Sequence, residues 1–220
     1  MPAPNKAKTP PKTGVRFNVQ LSEEQKLAKE NMLRHAFTYL VGPAGSGKTL
    51  VAVQAALDMY FKRQYDKIII TRPTVATEDN GFLPGTEDEK MEPWLVPIIS
   101  NMKKVYNKDG KIQKMMDSGE IELVSLAHFR GRTFDNAFVI LDECQNLTRA
   151  QHRMALGRLG KESTMVFCGD KLQIDLKNPN DSAIHDLDTL VQSEFVYRIV
   201  LQDNHRHPAV DSVLKLLTDY

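Results

Sequence analysis

The chain has 220 residues, and 29 Lys+Arg stand against 28 Asp+Glu for a net charge of +1. Hydrophobic residues make up 41% and charged residues 26%, which excludes a collagen, a coiled coil and a wholly disordered chain. No stretch approaches the roughly 18 uninterrupted apolar residues of a membrane span, so no membrane partner is expected. Met1–Lys12 shows no signal-like apolar run, and the sparse cysteines, Cys144 and Cys168, point to a reducing cytoplasm.

The balanced total hides local imbalance. Residues 1–16 carry Lys6, Lys8, Lys12 and Arg16 without an acid, and four prolines, so they read as a mobile tail. Residues 78–92 are strongly acidic. Residues 101–116 are basic through Lys103, Lys104, Lys108, Lys111 and Lys114. Such a run is either a solvated face or a contact for nucleic acid.

From residue 17 onward the pattern is that of a single α/β core. Apolar or β-branched runs at Phe37–Val41, Lys67–Thr71, Ile121–Leu126, Phe138–Leu141, Thr164–Cys168 and Phe195–Leu201 alternate with helical stretches. This predicts a parallel sheet with helices on both faces. Residues 50–63 form a clear helix whose polar stripe is Gln54, Asp58 and Lys62. Residues 72–120, rich in proline, read as an insertion on the upper edge of the sheet. It is expected to hold helices near 94–107 and 109–117.

Gly42-Pro43-Ala44-Gly45-Ser46-Gly47-Lys48-Thr49 matches the phosphate-binding (Walker A) pattern in full, between a strand and a helix. Its glycines let successive N–H groups turn inward on a phosphate, and the helix N-terminus adds positive charge. Lys48 is suited to the β- and γ-phosphates, and the Thr49 hydroxyl to Mg²⁺. A chance glycine-rich turn is the bland alternative, disfavoured by the flanking strand and helix.

The strand Phe138–Leu141 ends in Asp142-Glu143. Asp142 is assigned to Mg²⁺ through its water shell, and Glu143 to orienting and deprotonating an attacking water. A guanine signature is not matched, since Asn107-Lys108-Asp109 is followed by Gly110, and no arginine-rich kinase lid is evident. ATP hydrolysis is therefore expected. Gly169-Asp170-x-x-Gln173 after the next strand has the form of a γ-phosphate sensor, with a polar turn as the alternative. Gln25 has two open readings: an adenine-reading glutamine ahead of the phosphate loop, or the closing residue of a Ser22-x-x-Gln25 capping box. Thr148-x-x-Gln151 reads as a second box. No metal-ligand cluster surrounds His128 or His205, and the two cysteines read as buried small hydrophobes.

Phosphoryl transfer also calls for positive charge on the γ-oxygens. Arg72, Arg130, Arg132, Arg158 and Arg206 are available. No second core follows within these residues, so the expected arginine is either folded back in the same chain or donated by a neighbouring subunit.

Taken together these residues resemble the PhoH-like ATPases from about Leu21 to Tyr220. The resemblance rests on Ile70-Thr71-Arg72-Pro73, Gly81-Phe82-Leu83-Pro84-Gly85 with Lys90 and Pro93-Trp94, and Arg130-Gly131-Arg132-Thr133. It is completed by Asp142-Glu143-Cys144-Gln145-Asn146, the Gly169–Asp175 run and Arg206-His207. The chain departs from the family pattern at Cys144, at Ala183 and at Asn204-His205. The resemblance implies a RecA-like core of superfamily 1 helicase type, ATP with Mg²⁺, and a bacterial or phage-infected cytoplasm. It also implies a homo-oligomeric ring such as a hexamer, with Arg206 the first candidate for the donated arginine and Arg132 the second. The expected function is ATP hydrolysis coupled to single-stranded RNA or DNA. A regulatory ATP switch acting on a protein partner is the alternative, and a small-molecule kinase a third.

Overall fold

The structure, a computed structural model, describes residues 15–73, 87–108, 110–203, 205, 209 and 213, with the backbone alone over 87–95. Residues 1–14, the Gly81–Gly85 motif, the side chains of Lys90 and Trp94, and Arg206-His207 thus lie outside the described residues.

Every expected strand is present. β1 (Phe37–Val41), β2 (Lys67–Thr71), β3 (Ile121–Leu123), β4 (Ala137–Leu141), β5 (Thr164–Gly169) and β6 (Val196–Val200) form one sheet in the order β3-β2-β4-β5-β1-β6. All the pairings are parallel. The third run stops at Leu123 because Ser125 caps a 3₁₀ turn over Leu126–Phe129 and takes Leu126 out of the strand.

The two-residue period of a strand sorts its side chains between two cores. Leu40, Ile68, Ile70, Phe138, Ile140 and Val166 face helices α1 (Glu23–Met32), α2 (Lys48–Phe61), α3 (Glu87–Val105) and α4 (Lys111–Asp117). Tyr39, Ile69, Val139, Leu141, Met165 and Phe167 face the other way. They meet the 3₁₀ turns at Leu126–Phe129 and Ala183–Asp186, α5 (Arg149–Leu156) and α6 (Leu187–Leu190). Each Ile, Leu or Phe so buried contributes roughly 1.5–3 kcal/mol of transfer free energy. With both faces covered, the inner strands β1, β2, β4 and β5 are apolar over most of their length instead of alternating, which is what made them legible.

α2 is the helix most enclosed by this arrangement, with Val51–Leu57 and Met59–Phe61 all buried. Its polar stripe is narrower still than the sequence suggests. Gln54 is buried, with its amide 3.4 Å from the Val19 carbonyl oxygen, and Asp58 pairs with Lys29 at 2.6 Å and Lys62 at 3.1 Å. The chain ahead of α1 supplies part of the cover. Val15 and Phe17 pack on the core, and the Asn18 N–H donates to the Val105 carbonyl at 2.9 Å. Val15, which the sequence assigned to the tail, thus packs against the core.

The segment read as an upper-edge insertion has a different role. α3 packs along α2, and α4 then leads into β3. Together they form the crossover between the parallel strands β2 and β3, covering a face of the sheet. α3 carries the chain away from the phosphate loop: Tyr106, just past its end, packs on Phe61 at the far end of α2, with ring centroids 4.9 Å apart. Since α2 has 14 residues, that end lies about 21 Å from the loop. Lys103, Lys104, Lys108 and Lys114 are exposed there. They do not flank the phosphate loop, as a strand path beside ATP would require.

Candidate functional site

The site lies beyond the carboxyl ends of β1, β4 and β5, where an open α/β sheet places its ligands. β1 runs into the glycine-rich loop, and α2 starts at Lys48 with Gly47 as its N-cap at φ 83°. No side chain caps this end, so the first N–H groups of α2 point toward a prospective anion. A Cβ at Gly47 would stand 2.6 Å from the Gln25 amide nitrogen, and one at Gly42 would stand 2.3 Å from the Leu201 carbonyl oxygen. At Gly42 the backbone leaves no room for a side chain, and at Gly47 a side chain would be strained by the positive φ and would have to displace the Gln25 amide. Within the loop, Ser46 is buried and its hydroxyl donates to Pro43 O at 2.9 Å; Lys48 Nζ donates to Gly42 O at 2.8 Å and Pro43 O at 2.9 Å. Pro43, Ala44 and Gly45 complete the turn.

Asp142 and Glu143 emerge from β4 beside this loop. The Thr49 hydroxyl donates to Asp142 Oδ1 at 2.7 Å, joining the two motifs. Burial, with the charge of Glu143 beside it, pushes the Asp142 carboxyl up to about 6, while the Thr49 hydroxyl and the Arg72 guanidinium act against that rise. A hydroxyl and a carboxylate oxygen converging at a helix N-terminus are hard donors that suit Mg²⁺, which takes one or two protein oxygens and completes its shell with phosphate and water. Glu143 sits in the left-handed region at φ 53°, a strained setting that concentrates at functional sites. That turn aims its carboxylate at Gln145 and Arg72. Gln145 Nε2 donates to Glu143 Oε2 at 2.6 Å, and Arg72 Nη2 lies 3.5 Å from Oε1.

The expected γ-phosphate sensor is brought to the site through its backbone. The Gln173 side chain is exposed, but its carbonyl oxygen accepts from Gln145 Nε2 at 3.0 Å, and Gln145 Oε1 accepts from the Asp170 N–H at 3.1 Å. Asn146 adds a two-point contact with Asp175, at 2.8 and 3.1 Å. Gln145 is fully buried and so links Glu143 to the loop that follows β5. Reading the sequence left Gln145 without a role and named Arg72 only as one of five arginines available for the γ-oxygens; both lie inside quoted motifs, but their partners are distant in the chain.

Gln25 performs the capping function: its Oε1 accepts from the Ser22 N–H at 3.1 Å, and the Ser22 hydroxyl accepts from the Gln25 N–H at 3.3 Å. The same side chain also donates to Ser46 O at 3.1 Å, and its Nε2 lies 2.9 Å from His205 Nε2. The Thr148–Gln151 box is formed as well. His205 donates its N–H to Gly45 O at 3.1 Å, so the chain just before Arg206 lies against the phosphate loop. Arg132 is engaged elsewhere, 2.6 Å from Glu122 and over the Phe134 ring. Cys144 and Cys168 are buried, and burial together with the Asp142 charge pushes both thiols up. Among the described residues no group of three or more His, Cys, Asp and Glu is arranged to hold a metal, and no helix is long and apolar enough to cross a membrane.

The family described as PhoH-like protein matches residues 19–218. A PhoH-like protein of Synechocystis is 40% identical over 187 residues, spanning 83% of this chain and 56% of that one. A PhoH-like protein of Bacillus subtilis is 47% identical over 146 residues, spanning 66% and 46%. Protein PhoH of Escherichia coli is 38% identical over 161 residues, spanning 72% and 46%. The chain spans about half the length of the curated relatives it matches. Among solved structures, the large terminase from a thermophilic bacteriophage superposes with a TM-score of 0.58 at 11% identity, over 90% of this chain and 50% of that one. The Sulfolobus solfataricus SWI2/SNF2 ATPase core, solved with dsDNA, gives 0.52 at 12% identity, over 84% and 45%. These likenesses show the RecA-like, helicase-type fold.

Proposed function

The chain belongs to the PhoH-like protein family, and from that premise we propose that it binds Mg·ATP and hydrolyses it, with turnover coupled to single-stranded RNA or DNA. The observation that carries the reading is the 2.7 Å contact between Thr49 and Asp142, which sets Glu143 beside a site for phosphate. The loop N–H groups and the start of α2 bind the phosphates, and Lys48 exchanges its loop carbonyls for β- and γ-phosphate oxygens. Thr49 and Asp142 would hold Mg²⁺, which when bound neutralises charge on the phosphate oxygens. Glu143 accepts the proton of the attacking water. Gln173 acts through its loop, because its carbonyl reaches Glu143 by way of Gln145. Gln25 serves the nucleotide by holding Ser46 in place. The nucleic-acid half of the proposal is supported by the helicase-type fold.

The test is steady-state ATP turnover with and without single-stranded RNA and DNA. Glu143→Gln is expected to keep Mg·ATP binding and to lower kcat by ~10²–10⁴-fold; a rate within twofold of wild type overturns the assignment. Stimulation by a polymer, weakening steeply with salt, supports the coupling. Equal rates with and without either polymer overturn the coupling and leave the hydrolysis standing.

A further inference from the structure

Resting on the hydrolysis reading, we propose that Arg72 is a catalytic residue of this site and acts within its own chain: in the ATP complex its guanidinium passes from Glu143 to the γ-phosphoryl oxygens.

The placement follows from the sheet. β2 and β4 are parallel neighbours with Thr71 opposite Leu141, and the Asp142 N–H donates to the Thr71 carbonyl at 2.9 Å. Arg72 therefore leaves the sheet level with Asp142 and on the same side of the strand ends as the phosphate loop. Its guanidinium lies 3.5 Å from Glu143 Oε1, and its charge is felt at Asp142. Thr49, Asp142, Glu143 and Arg72 form one cluster, and among the described residues Arg72 is its arginine. Three other arginines are paired with acids away from this cluster: Arg132 with Glu122, Arg149 with Asp186 and Arg198 with Asp188.

The pair with Glu143 is an exchangeable one. Its 3.5 Å separation is beyond the roughly 2.7–2.9 Å of a charge-assisted hydrogen bond, and the two side chains are 21% and 29% exposed. A γ-phosphoryl group offers three oxygens and more negative charge, in a geometry that a guanidinium fork matches. The exchange does two things at once. It sets positive charge where charge develops in the transition state, and it leaves the Glu143 carboxylate for the water. The water oxygen then bonds to the γ-phosphorus as the bond from phosphorus to the bridging oxygen of ADP breaks. The water proton passes to Glu143 and from there to solvent, and ADP and inorganic phosphate leave. No arginine from a second subunit is required for this step.

The experiment compares the full-length wild type with Arg72→Ala, Arg72→Gln and Arg72→Lys. It reads kcat for Mg·ATP, binding of a non-hydrolysable ATP analogue, and trapping of ADP with aluminium fluoride. Arg72→Ala is expected to lower kcat by ~10²–10³-fold with analogue affinity within about threefold of wild type, an uncoupling that a folding defect would not give. Aluminium fluoride trapping is expected to be lost and Arg72→Lys to recover part of the rate. If Arg72→Ala does not fold, Arg72→Gln carries the same comparison. Mixtures of Arg72→Ala and Glu143→Gln are expected to stay inactive, since every site retains a lesion. A kcat at or above the wild-type value in the folded variants overturns the proposal, as does recovery on mixing. The two readings fail separately. A wild type that does not turn over ATP overturns hydrolysis itself, whereas turnover abolished by Glu143→Gln and untouched by Arg72→Ala overturns only the role of Arg72.

Discussion

The side-chain amide of Gln25 donates to the Ser46 carbonyl oxygen at 3.1 Å while its own oxygen closes the first turn of α1. One buried residue thus fastens a helix start to the phosphate loop. If it acts by holding the loop, Gln25→Ala weakens ATP and GTP by the same factor and lowers stability by about 1–2 kcal/mol. Binding titrations with both nucleotides check this. A loss confined to ATP would instead mean that Gln25 reads adenine.

Gln145 bridges Glu143 and the loop after β5, with Glu143, Gln173 and Asp170 as its partners. Gln145→Leu keeps the volume but leaves the Asp170 N–H and the Gln173 carbonyl without their partner, each at a cost of roughly 1–3 kcal/mol. The expected result is a fall in kcat with little change in KM for ATP. Gln145→Glu adds a second carboxylate beside Glu143, and its stability deficit is expected to be larger at pH 8 than at pH 5. Urea unfolding at the two pH values, with steady-state kinetics, reads both effects.

His152 is buried in α5, 2.6 Å from the Tyr39 hydroxyl and edge-on to Phe167. Burial lowers it to about 4 from an ordinary 6.5. This base binds its proton less readily folded than unfolded, so its contribution is intact above pH 6.5 and is lost as pH falls from 6.5 toward 4. Between pH 7.5 and pH 5 the loss comes to about 2 kcal/mol. His152→Gln is expected to flatten this part of the stability profile; an unchanged slope in urea titrations would show that the imidazole does not titrate with unfolding.

The strands were legible because a sheet covered on both faces needs apolar runs such as Lys67-Ile-Ile-Ile-Thr71. The phosphate loop and Asp142-Glu143 were legible because their chemistry is contiguous in sequence. α3 was harder to place. The sequence placed its start near residue 94, after Pro93, yet the helix begins at Glu87 and runs through Pro93 and Pro97. Its packing along α2 is a tertiary contact, so the transport of the lysines to the far end of α2 could not be seen either. Gln145 was missed, and Arg72 was left as one of five available arginines, for another reason. Gln145 meets Gln173 across 28 residues, and Arg72 meets Glu143 across adjacent strands. Such contacts exist only once the sheet order is known, and no local pattern encodes them.

The burial of α2 on nearly every side bears on the thermodynamics of ligand capture. A helix wedged between a sheet and α1 and α3 cannot drift along its axis, and the turn leading into it is tied down at Ser46 by Gln25 and at Gly42 by the hydrogen bond from its N–H to the Gly169 carbonyl. The amides that meet a phosphate are therefore immobilised when the chain folds, not when the ligand arrives. The ordering entropy belongs to the folding equilibrium, and the binding free energy is correspondingly less diminished by it.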